Sequence, residues 1–332
     1  MSLQVTRRAV AAGLGAALLI GAAIQPARAQ AFPSKPIHLV VTGAPGSSTD
    51  LIARRLAKVI QQQAGATVVV ENQPGASGSI ALASTMKSPP DGLRLVIAVP
   101  DSVTVYPLLK KVRPYNAEKD LTAIAQVAEA HFVFVVNAKN PANNMAEFVQ
   151  AEKAKAKGNG GSYASPGNGT TARLVTEMLL QRTNTEMLHA PYRATMPGLL
   201  GLAGGEVDLM VTSLASAKSL IDGGKIKAIG LAREQRLQGF ESVPTLVESG
   251  FPKFVVPVWW GVFAPAGLPT DVREKLSAMF QKASETEEYQ QQLLTLGLEP
   301  RTRTSAEFTS FLRTDTEMWA GAIRKAEIPL ED

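Results

Sequence analysis

Two short stretches combine small and hydroxyl-bearing residues in a way suited to holding an anion. The first is Gly43-Ala44-Pro45-Gly46-Ser47-Ser48-Thr49-Asp50, directly after the β-branched run Ile37–Thr42. The second is Ser165-Pro166-Gly167-Asn168-Gly169-Thr170-Thr171, directly after Gly161–Ala164. Each ends an expected strand and opens an expected helix. A helix start carries backbone N–H groups without intrahelical partners and a partial positive charge, so a carboxylate or phosphate can be held there. Glycine lets the backbone come close to a ligand, and hydroxyls add donors. Ser47, Ser48, Thr49 and Thr170 also suit ordinary helix capping. One such loop is commonplace; one in each half of a chain is what a two-sided anion clamp needs.

Other chemistries find less support. The chain has no cysteine, so it has no disulfide framework, thiolate nucleophile or cysteine-ligated metal. His38, His131 and His189 are far apart and form no H-E-x-x-H pattern, so no zinc site is expected. Gly167-x-Gly169-x-x-Ala172 matches a dinucleotide fingerprint, but the acidic residue expected about twenty positions on is only loosely met by Glu186. There is no G-x-x-x-x-G-K-[ST] loop, and Gly75–Ser79 lacks the spacing of a nucleophile elbow. No cofactor is expected. Ser165, His189 and Asp208 all fall near expected strand ends, but a chain of this class offers such a trio by chance, so no catalytic residue is assigned. Asp50, opening a helix, is read as a dipole-compensating residue and Asp208 as a tie between loops. Trp259-Trp260 either walls a ligand pocket or packs where the chain crosses between lobes.

The elements that must position these loops alternate along most of the chain. Expected strands are Ile37–Thr42, Thr67–Glu71, Leu93–Val99, Leu121–Val127, Phe132–Asn137, Gly161–Ala164, Met187–Ala190, Val207–Thr212 and Lys227–Ala232. Helical patterns fall between them, as in Thr49–Gln63, where Leu51, Ile52, Leu56, Val59 and Ile60 share one face. Such alternation predicts an α/β fold with a largely parallel sheet. After Phe263 the pattern is helical only, near Thr270–Glu285, Glu287–Leu296 and Ser305–Lys325. A strandless tail must cover a sheet made earlier. The chain is therefore expected to leave one lobe, build a second and return, crossing near His131–Phe132 and Pro257–Gly261.

The chain has 332 residues, 45% apolar and 19% charged, a length for two packed domains. Its opening follows the order of a secretory signal peptide: Arg7-Arg8, an apolar run from Ala9 to Ile24, then Ala27-Arg28-Ala29. The run is shorter than the roughly 20 residues of a membrane span. Cleavage is expected after Ala29 or Ala31. Loss of Arg7, Arg8 and Arg28 takes the 34 basic residues to 31 against 29 acidic ones. A mature chain so close to neutral gives no electrostatic footprint for nucleic acid.

The motifs, taken in order, resemble the periplasmic solute-binding receptors of tripartite tricarboxylate transporters, the Bordetella-uptake-gene type. Pro33-Ser34-Lys35-Pro36-Ile37, Ala44–Asp50 and Ala53-Arg54 match the family's opening. Val70–Gly78, Pro90-Asp91-Gly92, Tyr115–Asp120, Tyr163–Thr170, His189–Tyr192, Gly205–Met210, Val243–Gly250 and Trp259–Pro269 follow its later motifs. The resemblance implies a two-lobed binding protein of the type II-like periplasmic class, with two chain crossings and a ligand cleft between lobes. Residues 1–31 would be the signal peptide, 32–131 with 258–332 lobe 1, and 132–257 lobe 2. It further implies a small organic carboxylate ligand, large and small membrane permease subunits as partners, a periplasmic location and a monomer. The ligand set carried over is Gly46, Ser47, Ser48 and Thr49 on one lobe, and Ser165, Gly167, Asn168, Gly169, Thr170 and Thr171 on the other. Arg173, Tyr192 and Asp208 join it. The chain departs from the family in three places: Ser47 replaces a glycine, Arg173 a common histidine, and Arg193-Ala194 the usual Lys-Gly. Arg173 would hold a second carboxylate bidentately or line the outer helix face. An exported sensor and a secreted hydrolase are the competing functions.

Overall fold

The computed structural model of the protein describes residues 32–155, 160–325, 328 and 330. The expected signal peptide, residues 1–31, lies outside the described residues. The strands form one mixed sheet in the order β2-β1-β3-β9-β4-β7-β5-β6, with β8 also paired to β4. Their ranges are β1 Ile37–Val41, β2 Val68–Asn72, β3 Arg94–Ala98, β4 Leu121–Asn137, β5 Ser162–Ser165, β6 Leu188–Pro191, β7 Leu209–Ser213, β8 Ile226–Leu231 and β9 Pro257–Pro265.

Strand β4 joins two groups of strands. Its first part, Leu121–His131, pairs antiparallel with β9, which pairs in turn with β3. Its second part, Phe132–Asn137, pairs antiparallel with β7 and β8. Parallel pairing is confined to β1 with β2 and β3, and to β5 with β6 and β7. The expectation of a largely parallel sheet therefore gives way to a mixed one. The expected strands Leu121–Val127 and Phe132–Asn137 are one continuous strand. Pro257–Gly261, expected as a crossing, is the first part of β9.

Each group packs its own core. In the first, Val40, Leu82, Val96, Trp259, Phe263 and Phe308 are buried together, with the Trp259 and Phe308 rings edge to face, 5.4 Å between centroids. In the second, Val133, Ala164, Leu199, Met210 and Leu214 do the same. Helices cover both: α1 Ser48–Ala64, α2 Ser79–Met86, α3 Met145–Ala154, α4 Thr171–Thr183, α5 Thr195–Gly204 and α6 Leu214–Asp222, then α7 Thr270–Ser284, α8 Glu287–Leu294 and α9 Ser305–Lys325. In α1, Ile52, Ala53, Leu56, Val59 and Ile60 are buried, as the helical spacing predicts. The C-terminal helices return to the first group. Ser305 Oγ donates to the Ala123 carbonyl at 2.6 Å, and Phe308 enters the first core.

Candidate functional site

In parallel strand order, the loops that follow β1, β2 and β3 gather at one end of the first group, and the loop after β5 sits at the matching end of the second. The loop after β1 is held rigidly from behind. Gly46 has φ 79°, in the left-handed region that favours glycine. Asp50 accepts from the Gly46 N–H at 2.9 Å, from Asn72 Nδ2 at 2.9 Å and from Arg54 Nε at 3.1 Å. Asn72 Nδ2 also reaches the Gly43 carbonyl at 3.1 Å. Burial pushes the Asp50 carboxyl up, but these hydrogen bonds outweigh it and hold it below the usual carboxylate range. Asp50 is thus ionised and fully engaged, a buttress for the loop.

Capping then decides which donors remain. Ser47 is the N-cap of α1, its hydroxyl accepting from the Asp50 N–H at 3.3 Å. The N–H groups of Ser48 and Thr49 lie in the first turn, where the helix offers them no carbonyl. Trp260 Nε1 lies 3.0 Å from Thr49 Oγ1. An indole N–H can only donate, so the Thr49 hydroxyl accepts there and keeps its own proton for an acceptor. The start of α1 therefore offers two backbone N–H groups and the hydroxyls of Ser48 and Thr49.

The loop after β5 is knotted around Ser165. Its Oγ accepts from the Gly167 N–H at 3.2 Å, lies 3.0 Å from the Gly167 carbonyl and is 2.7 Å from His189 Nε2. The Ser165 hydroxyl is thus held between the Gly167 backbone and the His189 ring, donating to the Gly167 carbonyl and accepting from His189 when that ring carries its proton on Nε2. Burial, and then the charge of Arg173, lower the His189 pKa to about 4, so the ring is neutral at pH 7. Gly167 has φ 138°. Thr170, the N-cap of α4, points its hydroxyl at the Gly167 carbonyl (2.8 Å) and leaves the helix start uncapped by its own side chain.

That helix start is capped from the other strand group. Asp101, after β3, accepts from the Thr171 N–H at 2.8 Å and from the Thr171 hydroxyl at 2.5 Å. Gly169 lies beside it: a Cβ there would stand 3.2 Å from Ser77 Oγ and 3.3 Å from Tyr106 Cδ2. The second loop thus rests directly on the loops that follow β2 and β3.

Not every expected ligand residue lies at this junction. Arg173 donates from Nη1 to the Asn168 carbonyl at 3.3 Å and lies beside His189 and Tyr163, within its own strand group. Tyr192 donates its hydroxyl to Glu206 at 2.9 Å and packs on the second core. Asp208 accepts from the Ser162 N–H at 2.7 Å, at the opposite end of β5 from Ser165, which accords with its reading as a tie between loops. Ser165, His189 and Asp208 therefore do not assemble as a relay.

The geometry matches a known family. The profile of the tripartite tricarboxylate transporter family receptor matches residues 52–328. The chain belongs to that receptor family. It is 34% identical over 299 residues to a UPF0065 protein of Bordetella pertussis, covering 90% of each. Among solved structures, the periplasmic binding protein BugD is 29% identical, with a TM-score of 0.80 over 90% of this chain and 99% of that one. The R. palustris protein Rpa4515, solved with adipate, is 25% identical, with a TM-score of 0.84 over 90% and 99%. The family and the α/β binding-protein fold expected from the motifs are thereby established for this receptor. Sequence reasoning missed Asp101, Ser77 and Tyr106, which carry the contact between strand groups, and the Arg54–Asn72–Asp50 buttress. Position was the available signal: Asp101 follows β3 just as Asp50 follows β1.

Proposed function

We propose that this family member is a periplasmic receptor that captures a small organic carboxylate between the loops after β1 and β5 and delivers it to the large and small membrane subunits of a permease. The two halves are residues 32–131 with 258–332, and residues 132–257. Their closing motion traps the guest, whose contacts with both sides favour the closed state. The observation that carries this reading is the Asp101 carboxyl group on the Thr171 N–H and hydroxyl: this helix start already accommodates a carboxyl oxygen from the other strand group, even though burial pushes the Asp101 pKa up. The adipate held by Rpa4515 supports the same ligand class.

The guest's carboxylate lies on Gly46, Ser47, Ser48 and Thr49, with Ser165, Gly167, Asn168, Gly169, Thr170 and Thr171 closing over it. Four donors at the start of α1, at about 1.5–3 kcal/mol for each hydrogen bond to a charged group, give roughly 6–12 kcal/mol before ordering costs. Micromolar binding needs about 8 kcal/mol. Helix-start dipoles suit this task because they stabilise an anion without burying a full positive charge in the empty cleft. The Ser165–His189 pair favours binding over hydrolysis, since Asp208, the third member that a relay would need, lies at the opposite end of β5. Thermal-shift screening of a carboxylate library against the mature chain, followed by calorimetry, tests the reading. Micromolar binding by wild type that weakens in Ser165→Ala, with no ester turnover, is the expected result. Ester hydrolysis that vanishes in the variant would establish the enzyme instead.

A further inference from the structure

A cavity of about 220 Å³ opens in the first strand group, beneath α9. Leu121 and Ala123, which line it, belong to the start of β4. Strands β3 and β4 both pair antiparallel with β9, so they run the same way, and the start of β4 stands at the opposite end of the sheet from the loop after β3. No residue of the carboxylate clamp lines the cavity. Its floor is apolar: Val103 is 5% exposed, Leu121 6% and Phe263 1%. Over that floor lies one stripe of α9, Ser305, Thr309, Leu312 and Thr316, at the i, i+4, i+7, i+11 spacing of a single helix face. A stripe that only closed a core would be apolar throughout, and this one carries three hydroxyls. Those of Ser305 and Thr309 donate to the Ala123 and Ser305 carbonyls. Thr316 makes no side-chain hydrogen bond among the described residues. Arg273 of α7 faces the same space, half-buried, and its guanidinium has no ion-pair or hydrogen-bond partner among the described residues. A cation partly withdrawn from water without an anion is costly. Glu118, at the rim, is exposed and already accepts from Arg313 Nε at 3.0 Å. One positive charge is left unmatched.

We infer that the first strand group holds a second ligand site, for a small monocarboxylate with a compact apolar body. The carboxylate meets Arg273, and the body fills the space between Val103, Leu121, Phe263 and Leu312. A guanidinium takes a carboxylate through two parallel hydrogen bonds, and the Thr316 hydroxyl is a further donor. Size sets the class of body: a dry cavity of about 150 Å³ holds benzene, so this one has room for a single ring with its acid group. A wholly apolar molecule would leave the guanidinium unmatched. A second acid group on the body would be pressed against Val103 and Phe263 without donors. The inference stands apart from the clamp, since the two sites share no residue.

Benzoate and benzyl alcohol, the same ring with and without the charge, are the probes, read by NMR on the mature chain with labelled Leu and Val methyls. Benzoate should shift the methyl signals of Val103, Leu121 and Leu312 to saturation. In Arg273→Gln its affinity at those methyls should fall about tenfold, the loss of a hydrogen bond to a charged group, while benzyl alcohol should bind both proteins within twofold. Lys275→Gln removes a neighbouring cation of α7 that is paired with Asp271 at 3.5 Å, and should leave benzoate binding unchanged. Gly169→Val, which perturbs the clamp, should also leave this titration as in wild type. Four results would each overturn the inference: no saturable shift at the three methyls, equal benzoate affinity in Arg273→Gln, an equal loss of benzyl alcohol in that variant, or a loss of benzoate in Lys275→Gln or Gly169→Val that matches it. The first three leave the receptor reading untouched, because the clamp is tested on its own residues.

Discussion

Gly169→Val tests whether the second loop must seat on the first strand group for a guest to be held. A Cβ at Gly169 would stand 3.2 Å from Ser77 Oγ and 3.3 Å from Tyr106 Cδ2, inside the 3.5–4.0 Å at which carbon contacts are relaxed. Valine adds two methyls beyond that Cβ, about 1.5 Å further out, so the contact cannot close without displacement. Gly169 lies outside the left-handed region, so the substitution brings no backbone strain of that kind. Both obstructing residues belong to the other strand group, so separating the halves relieves the overlap and the cost falls on the closed state. Overpacking of this kind costs about 1–3 kcal/mol, which converts to about 5- to 150-fold weaker binding. Calorimetry with the carboxylate found by screening measures that loss. Small-angle scattering of the ligand-free variant should show a larger radius of gyration, and the melting temperature should move little. Affinity within twofold of wild type, with an unchanged radius, would refute the seating argument.

Trp260→Phe removes the only proton that indole can give Thr49 Oγ1, so guest affinity should fall about three- to tenfold at 25 °C by calorimetry, near the 0.5–1.5 kcal/mol of one hydrogen bond; equal affinity would show that the Thr49 hydroxyl needs no orienting. His189, with its pKa lowered to about 4, should remain neutral and carry its proton on Nε2 at pH 6, as nitrogen-resolved NMR would report; an Nδ1 proton would reverse the hydrogen-bond assignment around Ser165. Asp315 is 3% exposed, accepts from Thr104 Oγ1 at 3.2 Å, and sits beside the poorly aligned indole N–H groups of Trp259 and Trp319. Burial pushes its pKa up to about 6. The folded state therefore holds this proton more tightly than the unfolded chain does, and stability from it is lost as pH rises from about 4 through 6, by up to about 3 kcal/mol. Asp315→Asn should gain melting temperature relative to wild type as pH goes from 4.5 to 7; parallel curves would contradict that.

The helices and most strands could be read from periodicity, and α1 and α9 fall within a residue or so of their expected limits. The middle of β4 could not. Ala128-Glu129-Ala130-His131 has little intrinsic strand preference, and its pairing with Pro257–Trp260 of β9 decides its conformation. That partner was itself obscured, since Pro257 and Gly261 punctuate it and most of its residues are buried on both faces, which removes the alternation that marks a half-buried strand. The two anion loops were legible because strand, glycine-hydroxyl loop and helix follow in sequence. What faces them was not, because Ser77, Asp101, Tyr106 and Trp260 reach the site through strand order and register, which no local pattern encodes.

One strand serving both halves has a mechanical consequence. The ladder between β4 and β9 slips register between Ala123 and Ala125 and again between Gln126 and Ala128, and such irregularities concentrate bending in a strand. A paired ribbon flexes across its flat side far more readily than it slides along its length, where every ladder bond would have to break at once. The proposed closure of the two halves would therefore follow a single arc. Guests of different bulk would stop that swing at different angles while meeting the same amides in the same alignment, which lets one scaffold be retuned by exchanging a few residues at the rim.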